Sequence, residues 1–364
     1  MKASARYNAA RLADMVREVF LRSGYNAADA ETITDVLLTS DRMGIESHGL
    51  QRLILYQYGI SIGRINVNAT PTIIKDTPLS VVMDANAGMG QIVSKFAMET
   101  AIEKARKSGI GIALVRNSNH FGIAGYYSLM AAKAGLLGIT MTNTQALVVP
   151  TFGRIPLLGT NPIAVSMPAE PYPFHLDMAT SVVTGGKMEV YAKNNEPLPE
   201  GWAVDANGHV NTDPQEFVRN RGKASGGLLP LGGAGTLYSG HKGYGLSLVV
   251  ELMTGILSSG TVSAFVRKVK EKEQCCHMFA AIDYEMFTDD KAGLEKQFSE
   301  FLNIFRNSEK AAGEDRIYIP GEKEFESMAH ADERGVVVSE GTLKELEKIC
   351  RDKGLNPEDY IVEV

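Results

Sequence analysis

Cysteine is scarce: the 364 residues hold three, Cys275, Cys276 and Cys350. An odd set with two adjacent members forms neither a disulfide framework nor a zinc-ligand pattern. No metal site is therefore expected, and a reducing cytoplasm is the expected compartment. Long apolar runs are absent too; nothing approaches the roughly 18 residues that a membrane-spanning helix needs. Residues 1–6 lead into an amphipathic segment rather than an apolar one, so no signal peptide is expected. Neither sign of charge dominates. Lys plus Arg number 37 and Asp plus Glu 43, a net charge of −6, which gives no electrostatic footprint for nucleic acid or an anionic membrane.

The standard nucleotide fingerprints are also missing. No strand leads into a full G-x-G-x-x-G; Gly88-Met89-Gly90-Gln91 lacks the third glycine. Residues 235–240 have the glycine spacing of a P-loop but continue as His241-Lys242-Gly243. There is no H-E-x-x-H. A standard Rossmann domain and an ATPase are both unsupported.

What is present is an ordinary globular composition, 44% hydrophobic and 22% charged, with 36 glycines, which point to many tight turns and close backbone approaches. At ~150 residues per domain the length predicts two or three domains. Leu12, Val16, Val19 and Phe20 recur at helical spacing, with Gly24 as a stop. Asn26 and Asp29 form a weak capping box for a second helix with Ile33, Val36 and Leu37 inside. A third helix is predicted over 50–62. From about 72 the pattern changes to alternation: strands at 80–83, 110–115, 137–141 and 163–167, with helices at 91–107 and 123–134. That alternation predicts an α/β fold. A helix over 243–257, a strand over 278–283 and helices over 287–313, 322–334 and 341–353 complete the reading, while 222–245 reads as a glycine-rich loop.

Two histidines sit in polar surroundings. In Ser47-His48-Gly49-Leu50-Gln51-Arg52, His48 and Arg52 are four apart and would share a helix face, with Ser47 as N-cap. A proton donor beside a planar guanidinium suits a carboxylate substrate with a reactive carbon next to it. On spacing alone the segment reads equally as a helix cap with a surface arginine. In Asn117-Ser118-Asn119-His120-Phe121-Gly122, between strand and helix, an imidazole can act as general acid or base, or can be a buried capping histidine. Four more segments are polar or glycine-bearing: 159–162, 175–181, 240–246 and 318–322. Lys242 at a helix start suits an anion and Asp177 suits ribose hydroxyls, though each segment taken singly is an ordinary turn.

As an ordered set, Ser47-His48-Gly49 with Arg52, Asn119-His120-Phe121-Gly122, Gly159-Thr160-Asn161-Pro162, Leu176-Asp177-Met178-Ala179-Thr180-Ser181, Lys242-Gly243-Tyr244-Gly245-Leu246 and Pro320-Gly321-Glu322 resemble the malate/L-lactate dehydrogenase family, which is distinct from the Rossmann-type lactate and malate dehydrogenases. The resemblance spans about residues 44–322. It implies a non-Rossmann α/β fold. A mixed-sheet NAD(P)-binding domain over 73–285 would be flanked by a discontinuous helical domain built from 1–72 and 286–364. It implies a homodimer that interconverts a 2-hydroxy acid and a 2-oxo acid with NAD or NADP, and a small-molecule carboxylate as substrate.

Residue by residue, His48 matches the acid of the diketogulonate reductase branch and His120 that of the ureidoglycolate dehydrogenase branch. Ser47, Arg52 and Thr160 match substrate contacts. Asn143, Asp177, Met178, Ala179, Lys242, Pro320, Gly321 and Glu322 match cofactor contacts. The chain departs from the family before Lys242, where residues 232–241 are longer than usual and His241 replaces a small or polar residue. Competing readings are a C=N reductase of a cyclic imino acid, a ureidoglycolate-type dehydrogenase, a non-catalytic binding protein, and a metal-dependent hydrolase built on His48, His120, His175 and Asp177. The last lacks metal-ligand spacing.

Overall fold

The computed structural model describes residues 5–220, 223, 225–266 and 274–364. Residues 1–4, together with Gly222 and Ala224 of the glycine-rich stretch, lie outside the described residues. The chain enters through β1 (Arg6–Tyr7), α1 (Ala9–Leu21), α2 (Ala27–Arg42) and α3 (Leu53–Ser61). It continues as β2 (Thr72–Asp76), β3 (Ser80–Asp84), α4 (Gly90–Ser108), β4 (Ile110–Ser118), α5 (Ala124–Lys133), β5 (Leu137–Thr142), β6 (Ile163–Met167) and β7 (Phe174–Met178). Next come α6 (Gly185–Asn194), β8 (Ala203–Val204), α7 (Pro214–Asn220), β9 (Gly227–Leu228) and α8 (Gly240–Glu251). The chain ends with β10 (Cys275–Ile282), α9 (Lys291–Asn307), α10 (Glu322–Arg334), β11 (Val336–Val337) and α11 (Glu340–Asp352).

Periodic apolar residues explain the helical part. The side chains of Asn8 and Asn26 accept from the Arg11 and Asp29 amides and start α1 and α2. Leu12, Met15, Val16, Val19 and Phe20 of α1 pack on Ile33 and Leu37 of α2. The same core takes Val336, Leu346, Ile349, Cys350 and Leu355 from the other end of the chain, and β1 pairs antiparallel with β11. Helix α9 goes elsewhere. Phe298 meets Phe174 of β7 edge-on at 6.0 Å, and Ser299 Oγ accepts from the Glu170 amide.

The main sheet has the order β2-β3-β4-β10-β5-β6-β7. Only β3 and β4 are parallel, joined by α4; every other neighbouring pair is antiparallel. Helices α4 and α5 lie so close to the sheet that a side chain on Gly111 or Gly138 would strike the carbonyl of Ala101 or Ser128. The result is a mixed sheet flanked by helices. Several local expectations change. The polar segment 175–181 is not all turn: Phe174–Met178 form the edge strand β7. The helix expected over 243–257 starts at Gly240 and passes at Leu252 into a π-helical turn. The glycine-rich stretch holds β9 and the first turn of α8. The helix expected over 287–313 runs from Lys291 to Asn307. Among the described residues no helix is long and apolar enough to cross a membrane, and no group of three or more His, Cys, Asp and Glu could hold a metal ion.

His277 lies in the middle of the sheet, fully buried, with Nδ1 2.6 Å from Thr142 Oγ1 and its ring stacked on Phe121 at 4.5 Å. Burial pushes this imidazole down to about 3. The unfolded chain binds the proton at the ordinary histidine value and the folded chain does not. Stability is therefore fully present above pH ~6.5 and is lost as pH falls toward the folded value, by about 1.4 kcal/mol per pH unit for one such group. Urea midpoints measured between pH 6.5 and 4.5 should fall less steeply for His277→Gln than for the wild type. Identical slopes would mean that His277 does not stay neutral in the fold.

Candidate active site

The link between α2 and α3 consists of two single helical turns, Glu46–His48 and Leu50–Arg52, that meet at Gly49. Asp41, in the last turn of α2, fixes this meeting point. Its buried carboxylate accepts the Leu50 amide at 2.7 Å and fills the space that a side chain on Gly49 would need. Burial pushes the Asp41 carboxyl well above the usual range. His48 and Arg52 thus do not share one continuous helix face, and Ser47 is not an N-cap. Ser47 Oγ instead lies 2.9 Å from His48 Nδ1, and its carbonyl accepts from Arg52 Nε. Arg52 is buried, only 8% exposed. Burial, then the nearby Arg52 charge, pushes His48 down to about 3, so its ring is neutral near pH 7.

The second imidazole comes from the loop between β4 and α5. Asn119 Nδ2 donates to the carbonyls of Ala87 and Gly88, both at 2.8 Å, which ties this loop to the start of α4. His120 Nδ1 lies 2.7 Å from Tyr56 Oη and 3.3 Å from the Gly122 amide nitrogen. The amide can only donate, so Nδ1 accepts in one neutral form. The Tyr56 hydroxyl donates to that form and accepts once Nδ1 carries a proton. The His48 and His120 rings stack with centroids 5.6 Å apart and planes at 23°.

These loops form one wall of a cleft of about 120 Å³ that also takes Asn143 and Thr160 into its lining. It opens where β4 and β5 end and β10 begins, at Asn119, Thr142 and Cys275. Behind it, Glu251 is a buried hub. Its carboxylate accepts from Asn161 Nδ2 at 2.8 Å, from the Ser263 amide at 3.1 Å and from Asn143 Nδ2 at 3.4 Å. Asn143 also accepts the Cys276 amide and donates to the Thr261 carbonyl, so its side chain is built into the framework. The Thr160 amide donates to Thr144 Oγ1. The sequence reading brings His48, Arg52, His120, Asn143 and Thr160 to this cleft and Ser47 into contact with His48, but it passes over Tyr56 and Arg64. A signal for Tyr56 existed: it stands one helical turn beyond Arg52.

The remaining expected residues fall outside that lining. Asp177, on β7, accepts the Gly125 amide at 2.7 Å at the start of α5, and burial pushes it up to about 6. Met178 and Ala179, both partly buried, follow it. The turn before α10 packs on the same strand. The Pro320 carbonyl accepts the His175 amide at 3.0 Å, and Gly321 (φ 100°) presses on His175. Glu322 is buried and its carboxylate is shared between Arg306 at 2.6 Å and Arg316 at 3.2 Å. Lys242 is exposed in the first turn of α8.

Two imidazoles and a buried guanidinium line one small cleft set against a mixed sheet. Comparison with known proteins narrows the class to dehydrogenases. A family model described as malate/L-lactate dehydrogenase matches residues 7–347, and the chain belongs to that family. It is 47% identical over 345 residues to a malate dehydrogenase of Pyrococcus abyssi, covering 94% of each chain. It is 37% identical to an L-sulfolactate dehydrogenase of Methanocaldococcus jannaschii, covering 95% of this chain and 97% of that one. The crystal structure of malate dehydrogenase from Entamoeba histolytica superposes with a TM-score of 0.94 at 35% identity, covering 97% of this chain and 99% of that one.

The Tyr56 contact yields a test. Tyr56→Phe should fold normally and lower turnover about tenfold, the scale of one hydrogen bond to a group that becomes charged, and it should shift the pH profile of kcat. A variant with wild-type turnover and an unmoved profile would remove Tyr56 from the site.

Proposed function

We propose that the protein interconverts a 2-hydroxy acid and its 2-oxo acid, with NAD or NADP as hydride carrier. The observation that carries this reading is the convergence of Arg52, His48 and His120 on one cleft. A nicotinamide, when bound, supplies or takes the hydride. Two features of the chain suit such a cofactor. The backbone at Gly185 and Gly186 forms part of the cleft, and a side chain on Gly186 would come within 3.0 Å of Arg52. His175 Nε2 beside Asp177 is buried without a hydrogen-bond partner among the described residues. Asn143, Asp177, Met178, Ala179, Lys242, Pro320, Gly321 and Glu322 are the residues proposed to hold the cofactor. Within that set, Asn143 and Glu322 act by fixing backbone, since their side chains are engaged inside the protein.

Arg52 grips the substrate carboxylate in a two-pronged contact, with Ser47 and Thr160 at its sides. This fixes the carbon that changes oxidation state. His120 transfers the proton at Nε2, while Nδ1 stays on Tyr56. In the reducing direction the ring starts doubly protonated and gives the Nε2 proton to the carbonyl oxygen; in the oxidising direction it takes that proton back. His48, held neutral, orients the same oxygen through a hydrogen bond. The cyclic imino acid alternative would use the same carboxylate grip with a C=N bond in place of C=O. We also propose a homodimer, with the exposed Leu248, Val249, Leu252 and Ile256 of α8 and its π-helical turn as the contact face, and a reducing cytoplasmic setting that suits three free cysteines.

Turnover of pyruvate, oxaloacetate and piperideine-2-carboxylate with NADH and NADPH, followed at the nicotinamide absorbance, tests the reading. Oxidation of NADH or NADPH by a 2-oxo acid is the expected result. Turnover of the imine alone would favour the C=N reductase, and no turnover would end both. His120→Ala should lower kcat by about 10²–10⁴-fold with folding intact. Arg52→Lys should raise KM for the 2-oxo acid about tenfold or more and leave the cofactor KM close to wild type, because lysine lacks the two-pronged geometry. Unchanged substrate affinity in that variant would refute the Arg52 role.

A further inference from the structure

We propose that His277, buried in the sheet, is a positioning residue for His120: it holds the loop 119–121 in place and ties that loop to Thr142 at the end of β5. This rests on the proton-transfer role given to His120 above and deepens it. His120 stands in the middle of the loop. On one side of it, the Asn119 carbonyl faces the His277 ring. On the other, the Phe121 ring stacks on the same imidazole with centroids 4.5 Å apart and planes at 11°. Nδ1 of His277 lies 2.6 Å from Thr142 Oγ1. Asn119, His120, Phe121 and Thr142 all line the cleft, and His277 is not among its described lining residues. One side chain of β10 therefore touches both the loop that follows β4 and the last residue of β5.

Core packing alone does not explain a histidine at this position. Its aromatic neighbours Phe121 and Phe279, with Tyr127 stacked on Phe121, form a cluster in which phenylalanine would pack as well. Burying an imidazole costs free energy, and Nε2 has no hydrogen-bond partner among the described residues. What the imidazole adds is the polar edge that reaches Thr142. Burial keeps the ring neutral, although the carbonyls of Asn119 and Cys276 favour its charged form. Other elements hold the same loop by other contacts. Tyr127 Oη, on α5, donates to the Phe121 carbonyl at 2.6 Å. A side chain on Gly90, at the start of α4, would strike the Asn119 and His120 carbonyls. His277 is the contact from β10. Proton transfer requires His120 Nε2 within reach of the reacting oxygen while Nδ1 keeps Tyr56 Oη at 2.7 Å. A misplacement of ~1 Å in such an arrangement costs up to about 10²-fold in rate.

The test uses His277→Phe, which keeps the stack and loses the contact to Thr142, and His277→Gln, which keeps a polar edge and loses the stack. Each should lower kcat for 2-oxo acid reduction by about 10- to 100-fold, with KM for the acid and for the nicotinamide cofactor within about twofold of wild type. Leu302→Ala, at a buried position of α9 outside the cleft lining, controls for lost stability alone. At an equal or larger fall in Tm it should keep wild-type kcat. A readout that needs no turnover is carbethoxylation of His120 by diethyl pyrocarbonate, measured by peptide mass spectrometry against the exposed His209. The His120 rate should rise about threefold or more in both variants as the loop loosens. If the wild type reduces no 2-oxo acid but the His120 rate rises in the variants, the dehydrogenase reading falls and the positioning by His277 stands. Where the wild type turns over, wild-type kcat in both variants overturns the assignment, and so does a kcat loss that Leu302→Ala reproduces. Where it does not turn over, an unmoved His120 rate overturns it.

Discussion

The site depends on one buried carboxylate. Asp41 accepts the Leu50 amide and occupies the space beside Gly49. An acid in such a place is costly unless hydrogen-bonded, and here the Leu50 amide supplies that bond across the joint between the two short turns. Ser47 and His48 hang from the first turn and Arg52 from the second. If the joint at Gly49 opened, the imidazole and the guanidinium would move independently. The Arg52 Nε bond to the Ser47 carbonyl closes the loop from the other side, so the two turns form a small rigid bracket.

Much of this was legible in the sequence, for physical reasons that can be named. Strands β3 to β6 and helices α4 and α5 carry strong periodic patterns and glycine stops such as Gly109 and Gly135, both of which adopt positive φ. Strand β7 did not, because Phe174–Met178 is an edge strand with a histidine and an aspartate facing helix α5, and period-two alternation is lost there. The small unit of α6, α7, β8 and β9 was invisible for a related reason. Its core is Leu147, Met188, Leu198, Phe217 and Leu228, gathered from short elements too brief to show a period. Polar residues in loops drew notice to His48, Arg52 and His120. Tyr56 and Arg64 escape notice because an aromatic in an apolar helix looks like ordinary core, and a cation in the turn after it like ordinary surface, until the opposite wall is known.

Two further carboxylates show how chemistry-bearing side chains can serve as framework. Glu251 joins Asn143, Asn161 and Ser263 behind the cleft, fixing the segments that present Thr144 and Thr160. Glu322 joins Arg306 and Arg316 beneath the turn at Pro320 and Gly321. Burial raises the Glu322 carboxyl, but Arg306, the Ile319 amide and Arg316 together outweigh it and hold it below the usual range. A motif match alone does not separate a residue that touches a ligand from one that shapes the backbone that does. Its hydrogen-bond partners do.

The topology explains why a dehydrogenase of this kind needs no glycine-rich phosphate fingerprint. In a doubly wound parallel sheet the ligand crevice opens at the carboxyl ends of strands whose crossover helices diverge. Here β10, from late in the chain, runs antiparallel between β4 and β5 and so removes any such divergence from the middle of the sheet. The carboxyl ends of β4 and β5 still point the same way, and the cleft beside them is walled by the bracket from the N-terminal helices and by the first residues of α6, Gly185 and Gly186. The fixed charge lining the cleft, among the described residues, is therefore on the α2–α3 link and the turn after α3, while the strand ends contribute polar but uncharged groups, Asn119, Thr142 and Asn143. Substitutions in that bracket change the charge of the cleft without touching the sheet beneath it.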